Sequence, residues 1–300
     1  MTPPRPRLRG GRAVSARPRR EPRVGVMTCA LDEVACAAFA VGALVGLVDR
    51  YIFVDTGSTD GTAELIEELY EREIGDGRLV VERLSPLEDH DISIARTRAL
   101  ELLRDADIDT FLKVDADDIF YDSGARQLVG LARTQPPTVT HVACRNHELY
   151  QWELIETREW LEALLAGRDA FWEMGITPSH DRSYAVAGAY ATGKWGDEAA
   201  QRAPEGIVHD RPGARLTTNS VLAAHYGWAR PVARKREKIA AWYGDPDHDP
   251  RVDRLHLVDE PRTPRQRFRD HPEVIARQVG PVLDWIAKDR PPGASSPGGS

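Results

Sequence analysis

The sequence predicts an α/β fold with a Rossmann-like, mostly parallel central sheet and helices on both faces. The chain has 300 residues, of which 41% are hydrophobic and 29% charged, a composition typical of a soluble globular protein. Short apolar runs alternate with helical patterns through the first half, which is the signature of a parallel sheet. Two of these apolar runs lead directly into aspartates, at 51–55 and 111–115. In such sheets, ligands bind at the carboxyl ends of the strands.

The first half is predicted to alternate four strands with three helices. The predicted strands are 23–28, 51–55, 78–84 and 110–114. The predicted helices are 32–47, 62–71 and 91–106. The uncharged apolar run at 34–48 is shorter than the roughly 20 residues of a membrane span. It therefore predicts a buried helix, and no integral membrane association is expected.

The second half, 136–285, shows a mixed pattern that is rich in tryptophan and histidine. Strands are predicted at 138–146, 182–190 and 219–228, with a helix around Trp160 and a final helix over 231–244. We expect this half to share one continuous sheet with residues 23–135.

Both termini have the composition of disordered segments. Residues 1–22 form a basic, arginine-rich arm and 286–300 a tail of proline, glycine and serine. The formal net charge of −7 indicates no general affinity for nucleic acid, although the arm leaves phosphate contacts open. The three cysteines form no disulfide framework, which favours a reduced, cytoplasmic protein.

The segment "KVDADD", at 113–118, places carboxylates directly after a predicted strand. If the segment is extended, Asp115 and Asp117 project to the same side, because strand side chains alternate with period two. A divalent cation would compensate their mutual repulsion. Asp118 could join them or face solvent, and a polar turn remains the alternative interpretation.

The segment "VDTGSTDGT", at 54–62, ends a strand in Asp55 and continues through a loop of small residues into a helix, with Asp60 as the predicted N-cap. Glycine lets backbone approach a ligand closely, and a helix N-terminus favours anions. The loop is neither a Walker loop nor a dinucleotide fingerprint. A capped turn without a ligand is the alternative.

Together these motifs resemble glycosyltransferase family 2, whose members have the GT-A fold. Residues 54–62 match the family's V-D-x-G-S-x-D-G-T motif, and 115–117 match its D-x-D. Arg96 matches the arginine of its Ala-Arg-Asn motif, in which Thr97 replaces the asparagine. The loop after the first strand departs, with "ALDE" at 30–33 in place of the frequent Lys-Asn-Glu.

The resemblance implies that residues 23–135 bind a nucleotide-sugar, most simply a UDP-sugar. It implies that Asp55 contacts the base, that Asp115 lies near the ribose or metal, and that Asp117 binds Mn²⁺ or Mg²⁺ bridging the diphosphate. The resemblance also implies that three further residues in this half bind the donor, namely Gly57, Ser58 and Arg96. Arg96 either adds positive charge or pairs with a nearby aspartate.

The resemblance also implies a catalytic base and further ligands in the acceptor-binding half, 136–285. Asp197 and Glu198 are the predicted catalytic base, with an acidic helix start as the alternative. His225 is the predicted third metal ligand, and His209 is its competitor. Arg230 and Lys235 are the predicted diphosphate contacts, unless this basic run is only a solvated helix face.

The predicted function is a metal-dependent glycosyltransferase of the cytoplasm, and the resemblance to the family implies that it inverts the anomeric carbon. Its donor is a nucleotide-sugar and its acceptor hydroxyl is unidentified. The alternatives are a nucleotidyltransferase and a non-catalytic nucleotide-sugar-binding domain.

Overall fold

One ten-stranded sheet runs through both predicted halves. The computed structural model describes residues 20–87, 92–134, 139–151, 157–166, 171–176, 183–187, 214–228, 266–267 and 270–288. The ten strands, in chain order, are β1 (Val24–Ala30), β2 (Arg50–Asp55), β3 (Leu79–Arg83), β4 (Thr110–Lys113), β5 (Asp118–Phe120), β6 (Val139–Gln151), β7 (Phe171–Ile176), β8 (Ser183–Ala187), β9 (Ala214–Trp228) and β10 (Gln266–Arg267).

The centre of the sheet is parallel and its extension is mixed, which confirms the predicted α/β class. Strands β4, β1, β2 and β3 are neighbours in that order, and all three pairings are parallel. The sheet continues beyond β4 through the antiparallel strand β8 to β6, β7 and β10. Strand β9 pairs with β6 and with β5. The expectation of one continuous sheet is thus confirmed.

Helices cover both faces of the parallel strands. The seven described helices are α1 (Ala37–Leu44), α2 (Thr62–Leu69), α3 (Glu71–Gly75), α4 (Ile92–Asp105), α5 (Asp122–Thr134), α6 (Thr157–Leu165) and α7 (Glu273–Lys288). Along β2, Tyr51 and Phe53 pack on one face while Ile52 and Val54 pack with α4 on the other. This alternation is what period-two side chains produce when both faces are buried.

Helix α1 is shorter than predicted and begins at Ala37 rather than at residue 32. Asp32 has a left-handed backbone, with φ of 54°, so it cannot lie in an α-helix. The Glu33 carbonyl then accepts hydrogen bonds from the N–H groups of Cys36 and Ala37 and closes a turn. The first residues of the predicted helix therefore form a structured loop.

Helix α7 was not predicted from the sequence. The predicted final helix at 231–244 lies outside the described residues, and α7 comes after it. Its buried residues, Val274, Ile275, Val279, Val282 and Trp285, follow a helical spacing that could have revealed it. The helix packs against α1, which explains why α1 is apolar nearly all round.

The predicted disordered termini are described only at their inner ends. Arg20 belongs to the predicted arm and forms salt bridges with Asp107 and Asp109, at 3.1 and 2.8 Å. Helix α7 continues to Lys288, three residues into the predicted tail. Residues 1–19 and 289–300 lie outside the described part of the chain.

His271, just before α7, should make stability depend on pH. The Tyr226 hydroxyl lies 2.7 Å from His271 Nδ1, and burial lowers the pKa of this histidine from 6.5 to about 4. The unfolded chain therefore binds a proton that the folded chain does not. The contribution of His271 to the free energy of unfolding is fully present above pH 6.5, and about 3 kcal/mol of it is lost as the pH falls to 4.

Urea unfolding of the wild type and of His271→Gln would measure this effect. Glutamine can still accept the tyrosine hydrogen bond but does not titrate. We expect the free energy of unfolding to fall less steeply between pH 7 and 4 in the variant. Parallel pH profiles for the two proteins would contradict the assignment.

Candidate active site

The loops that follow β1, β2 and β4 meet at one edge of the sheet. These strands are parallel neighbours, and Ala30 at the end of β1 pairs in register with Asp55 at the end of β2. Parallel strands end at the same edge, so the two aspartate motifs lie on the same side of the molecule, as expected.

Asp55 is buried, and only one of its two carboxylate oxygens accepts hydrogen bonds from the protein. Its Oδ1 atom accepts hydrogen bonds from the N–H groups of Gly57 and Ser58, at 3.0 and 2.9 Å. Its Oδ2 atom is buried and has no hydrogen-bond partner. A buried acceptor without a donor costs about 1–3 kcal/mol, so this oxygen marks a place where a ligand N–H or O–H would be stabilised.

The glycines of this loop are required by its geometry. Gly57 has φ of 101°, and a side chain there would place Cβ 2.8 Å from Pro86 Cα. Gly61 has φ of 88°, and its Cβ would lie 2.5 Å from the Trp285 ring. Helix α7 therefore packs over the start of α2.

The N-cap of α2 is Gly61 and not Asp60, which was the predicted N-cap. Asp60 Oδ1 nevertheless accepts the Thr62 N–H at 3.0 Å.

The loop after β1 is hydrogen-bonded to the loop after β2, a contact that the sequence did not predict, although Ser58 and Asp60 were predicted to bind the donor and to cap a helix. The Asp32 N–H donates to Ser58 Oγ, and Asp32 Oδ1 accepts the Thr59 N–H, both at 2.8 Å. Two further bonds join the Glu33 N–H to Thr62 Oγ1 and the Val34 N–H to Asp60 Oδ2. The Ser58 hydroxyl therefore serves the contact between the loops.

Asp32→Ala should loosen this contact and destabilise the fold by about 2 kcal/mol. It removes the acceptor for Thr59 and places alanine in a left-handed conformation. Asp32→Asn is the matched control, because asparagine keeps the acceptor and tolerates that backbone. Chemical denaturation of the three proteins would measure the difference. Equal losses in both variants would show that the charge, and not the hydrogen bond, matters.

Arg96, Lys113 and Asp115 lie around the ends of β1 and β4. Arg96 is buried, at 5% exposure, and Lys113 Nζ lies 3.4 Å from Asp115 Oδ1. Desolvation raises the pKa of the Cys29 thiol to about 12, while the positive charges of Arg96 and Lys113 act in the opposite direction. Two cationic side chains thus lie at the edge where the resemblance places a diphosphate.

Three buried side chains converge beside this edge. Strands β5 and β9 are antiparallel and pair Asp118 with His225. His225 Nδ1 lies 2.8 Å from Asp118 Oδ1 and 3.6 Å from Asp117 Oδ1. Within the described residues, Asp117, Asp118 and His225 form the one group able to hold a metal, with a ligand atom of each within 4.8 Å of the others.

This group differs from the predicted ligands in one member. Asp117 and His225 come together as expected, but the third residue is Asp118, which the sequence had left open. Asp115 is outside the group and has a side chain that is 45% exposed. The reason is local: the Asp118 N–H bonds to the Asp115 carbonyl at 3.1 Å and closes a turn, so the period-two expectation for an extended segment fails.

The other predicted site residues lie outside the described part of the chain. These are Asp197, Glu198, Arg230 and Lys235, together with the competing ligand His209. Their roles stay predictions.

Several solved structures are similar to this chain at low TM-scores. Glucosyl-3-phosphoglycerate synthase from Mycobacterium tuberculosis, in complex with Mg²⁺ and UDP, has a TM-score of 0.37 at 20% identity, covering 79% of each chain. Residues 1–349 of S. aureus TarS give 0.36 at 12% identity, covering 79% of this chain and 69% of that one. These similarities are too low to transfer a ligand or an activity.

The family model for glycosyl transferase family 2 matches residues 30–193. A search of curated proteins gives no significant match. The matched region spans more than half of the chain and contains both aspartate motifs, and it confirms the family and the enzyme class that the motifs predicted. The chain belongs to glycosyl transferase family 2.

Proposed function

We propose that this glycosyltransferase is metal-dependent and inverting, and that it moves a sugar from a UDP-sugar to an acceptor hydroxyl. One observation carries the proposal: a buried carboxylate oxygen without a partner, Asp55 Oδ2, lies at the sheet edge where the Asp117, Asp118 and His225 group also lies. A nucleoside diphosphate has an N–H donor on its base for the first, and a diphosphate that a divalent ion held by the second would bind.

The base contact is proposed for Asp55. Its Oδ1 is engaged by the loop and its Oδ2 is available as an acceptor, which fits the N3–H of uracil. Gly57 lets the loop backbone adopt this shape. Because the Ser58 hydroxyl accepts the Asp32 N–H, we propose that Ser58 orders the loop and meets the donor only through its backbone.

The donor set of the buried group fits Mn²⁺ or Mg²⁺. Carboxylate oxygens suit both ions and imidazole is a common ligand of transition metals. When bound, such an ion would neutralise the charge that develops on the departing diphosphate. Asp117 and His225 are the proposed ligands, and Asp115, oriented by Lys113, is proposed to lie near the ribose. Arg96 is proposed to add positive potential for the diphosphate.

The proposed displacement has one step. The acceptor oxygen attacks the anomeric carbon, a base takes the hydroxyl proton, and the diphosphate leaves with the electron pair of the broken bond. Asp197 or Glu198 is the proposed base, with Arg230 and Lys235 as diphosphate contacts. The support for these four is the sequence pattern together with the family.

We also propose that the reaction takes place in the cytoplasm, in line with the absence of a cysteine framework. Among the described helices, none combines the length and apolarity that crossing a bilayer requires. The acidic net charge does not favour a nucleic-acid acceptor.

Calorimetric titration with UDP, ADP, GDP and CDP, each with and without Mn²⁺ or Mg²⁺, tests the donor assignment. We expect UDP to bind most tightly and only weakly without the ion. Release of UDP from a panel of UDP-sugars then tests catalysis. Failure to bind any nucleotide would refute the proposal, and pyrophosphate release from a nucleoside triphosphate would favour the nucleotidyltransferase alternative. Binding without any sugar release or transfer would favour the non-catalytic one.

A further inference from the structure

The two ring nitrogens of His225 have different surroundings. Nδ1 faces the Asp118 carboxylate at 2.8 Å, with Asp117 Oδ1 farther away at 3.6 Å. Nε2 lies on the opposite side of the ring, next to Gly227, where Asp117 Oδ2 is also found. The two ring nitrogens therefore have different nearest carboxylates.

The distance between His225 Nδ1 and Asp118 Oδ1 is that of a hydrogen bond. Two ligand atoms of one cation usually lie about 3 Å or more apart, because each is about 2.0–2.2 Å from the ion. An ionised carboxylate can only accept, so the hydrogen lies on Nδ1, and when the ring is neutral its lone pair lies on Nε2. The register of β5 and β9 pairs the two residues directly and holds this contact in place.

Gly227 makes room for the imidazole ring of His225. A side chain at position 227 would put Cβ too close to Nε2 for any carbon atom, and 3.0 Å from Asp117 Oδ2. The backbone of Gly227 is not left-handed, so the glycine is not required for conformation. Because one point lies within 3.0 Å of both His225 Nε2 and Asp117 Oδ2, the imidazole nitrogen and the carboxylate oxygen are near neighbours.

We propose that Asp118 is a positioning residue and not a third metal ligand. It accepts the Nδ1–H of His225 and so presents Nε2, beside Asp117 Oδ2, to the ion, while Gly227 makes room for the ring in this orientation. Metal-binding histidines commonly donate their second N–H to a carboxylate in this way. The inference rests on the metal site of the proposed function and assigns distinct roles to its members.

Mn²⁺ affinity of Asp118→Asn and Asp118→Ala, measured by electron paramagnetic resonance of free Mn²⁺, separates the two roles. Asparagine still accepts the Nδ1–H, so we expect its affinity to stay within about 3-fold of wild type. Alanine cannot, and we expect a loss of about 10- to 100-fold. Asp117→Asn, which replaces a ligand, should lose more than either. If Asp118→Asn loses as much as Asp117→Asn, Asp118 is a direct ligand and the inference is wrong.

Gly227→Ala, which would displace the His225 ring, tests whether ion binding depends on the position of this ring, with Gly130→Ala as its control. Nothing lies within 4 Å of a Cβ at Gly130, on the exposed side of α5. We expect Gly227→Ala to lose Mn²⁺ binding with its circular dichroism preserved, and Gly130→Ala to bind as wild type. Wild-type binding by Gly227→Ala would contradict the proposal that the ion depends on this orientation of the His225 ring.

Nitrogen-15 NMR of the metal-free chain reads the His225 tautomer without any ion. We expect the hydrogen on Nδ1 in the wild type and in Asp118→Asn, and a mixture of tautomers in Asp118→Ala. A wild-type chain with the hydrogen on Nε2 would overturn the inference alone. A wild type with the expected tautomer that binds no Mn²⁺ or Mg²⁺, with or without UDP, would refute the proposed metal site and with it the ligand assignment.

Discussion

Asp117→Asn is expected to lower metal-dependent UDP binding and sugar transfer by about 100-fold or more while the fold is retained. The change keeps the size of the side chain but removes the charge that would hold a divalent ion, and loss of metal-ion stabilisation costs several kcal/mol. The turn should persist, because it is the Asp117 backbone carbonyl that accepts the Tyr226 N–H, at 2.9 Å. Titration of UDP in the presence of Mn²⁺ would measure the effect.

Asp105→Asn is the control for this prediction, since Asp105 is exposed at the end of α4, which leads into the start of β4 and so lies toward the sheet edge opposite the site. It makes the same chemical change and should leave UDP binding as in wild type. Mn²⁺-dependent UDP binding by Asp117→Asn at wild-type strength would exclude Asp117 as a ligand.

Asp55→Asn is expected to weaken UDP binding by about 10- to 100-fold without lowering stability. Asparagine can keep its oxygen toward the N–H groups of Gly57 and Ser58, so the loop is retained. The other atom changes from an acceptor to a donor and opposes the N–H of the base. Loss of a hydrogen bond to a charged group costs about 1.5–3 kcal/mol, which sets the expected range.

Measuring the free energy of unfolding of Asp55→Asn, in addition to its UDP affinity, separates an effect on ligand binding from an effect on folding. In the free protein Asp55 Oδ2 is buried without a partner, so replacing it by a neutral group should leave the free energy of unfolding equal or higher. Asp76→Asn is the matched control, because Asp76 Oδ1 accepts the Arg78 N–H in a similar turn, away from the site. If Asp55→Asn unfolds more easily and binds UDP normally, Asp55 has a structural role only.

Local sequence patterns predicted the strands and helices of the parallel part of the sheet well. Strands such as β2 and helices such as α4 were found within one or two residues, because their periodic apolar residues meet a sheet that is buried on both faces. The boundary of α1 and the presence of α7 were not found. The loop before α1 is shaped by bonds to residues 58–62, and α7 covers helices that precede it by some 200 residues, so neither is decided by its neighbours in the chain.

The sequence by itself determined the family, the alternation of strands and helices in the first half of the chain, and the edge of the sheet at which Asp55 and Asp117 lie. These follow from short motifs placed at strand ends, and parallel strands end together. Only the tertiary structure decided which carboxylate meets His225. That contact joins residues 107 positions apart through the pairing of β5 with β9, and a turn at 115–118 selects Asp118 over Asp115. Such a choice depends on backbone geometry and strand register, which residue spacing alone does not encode.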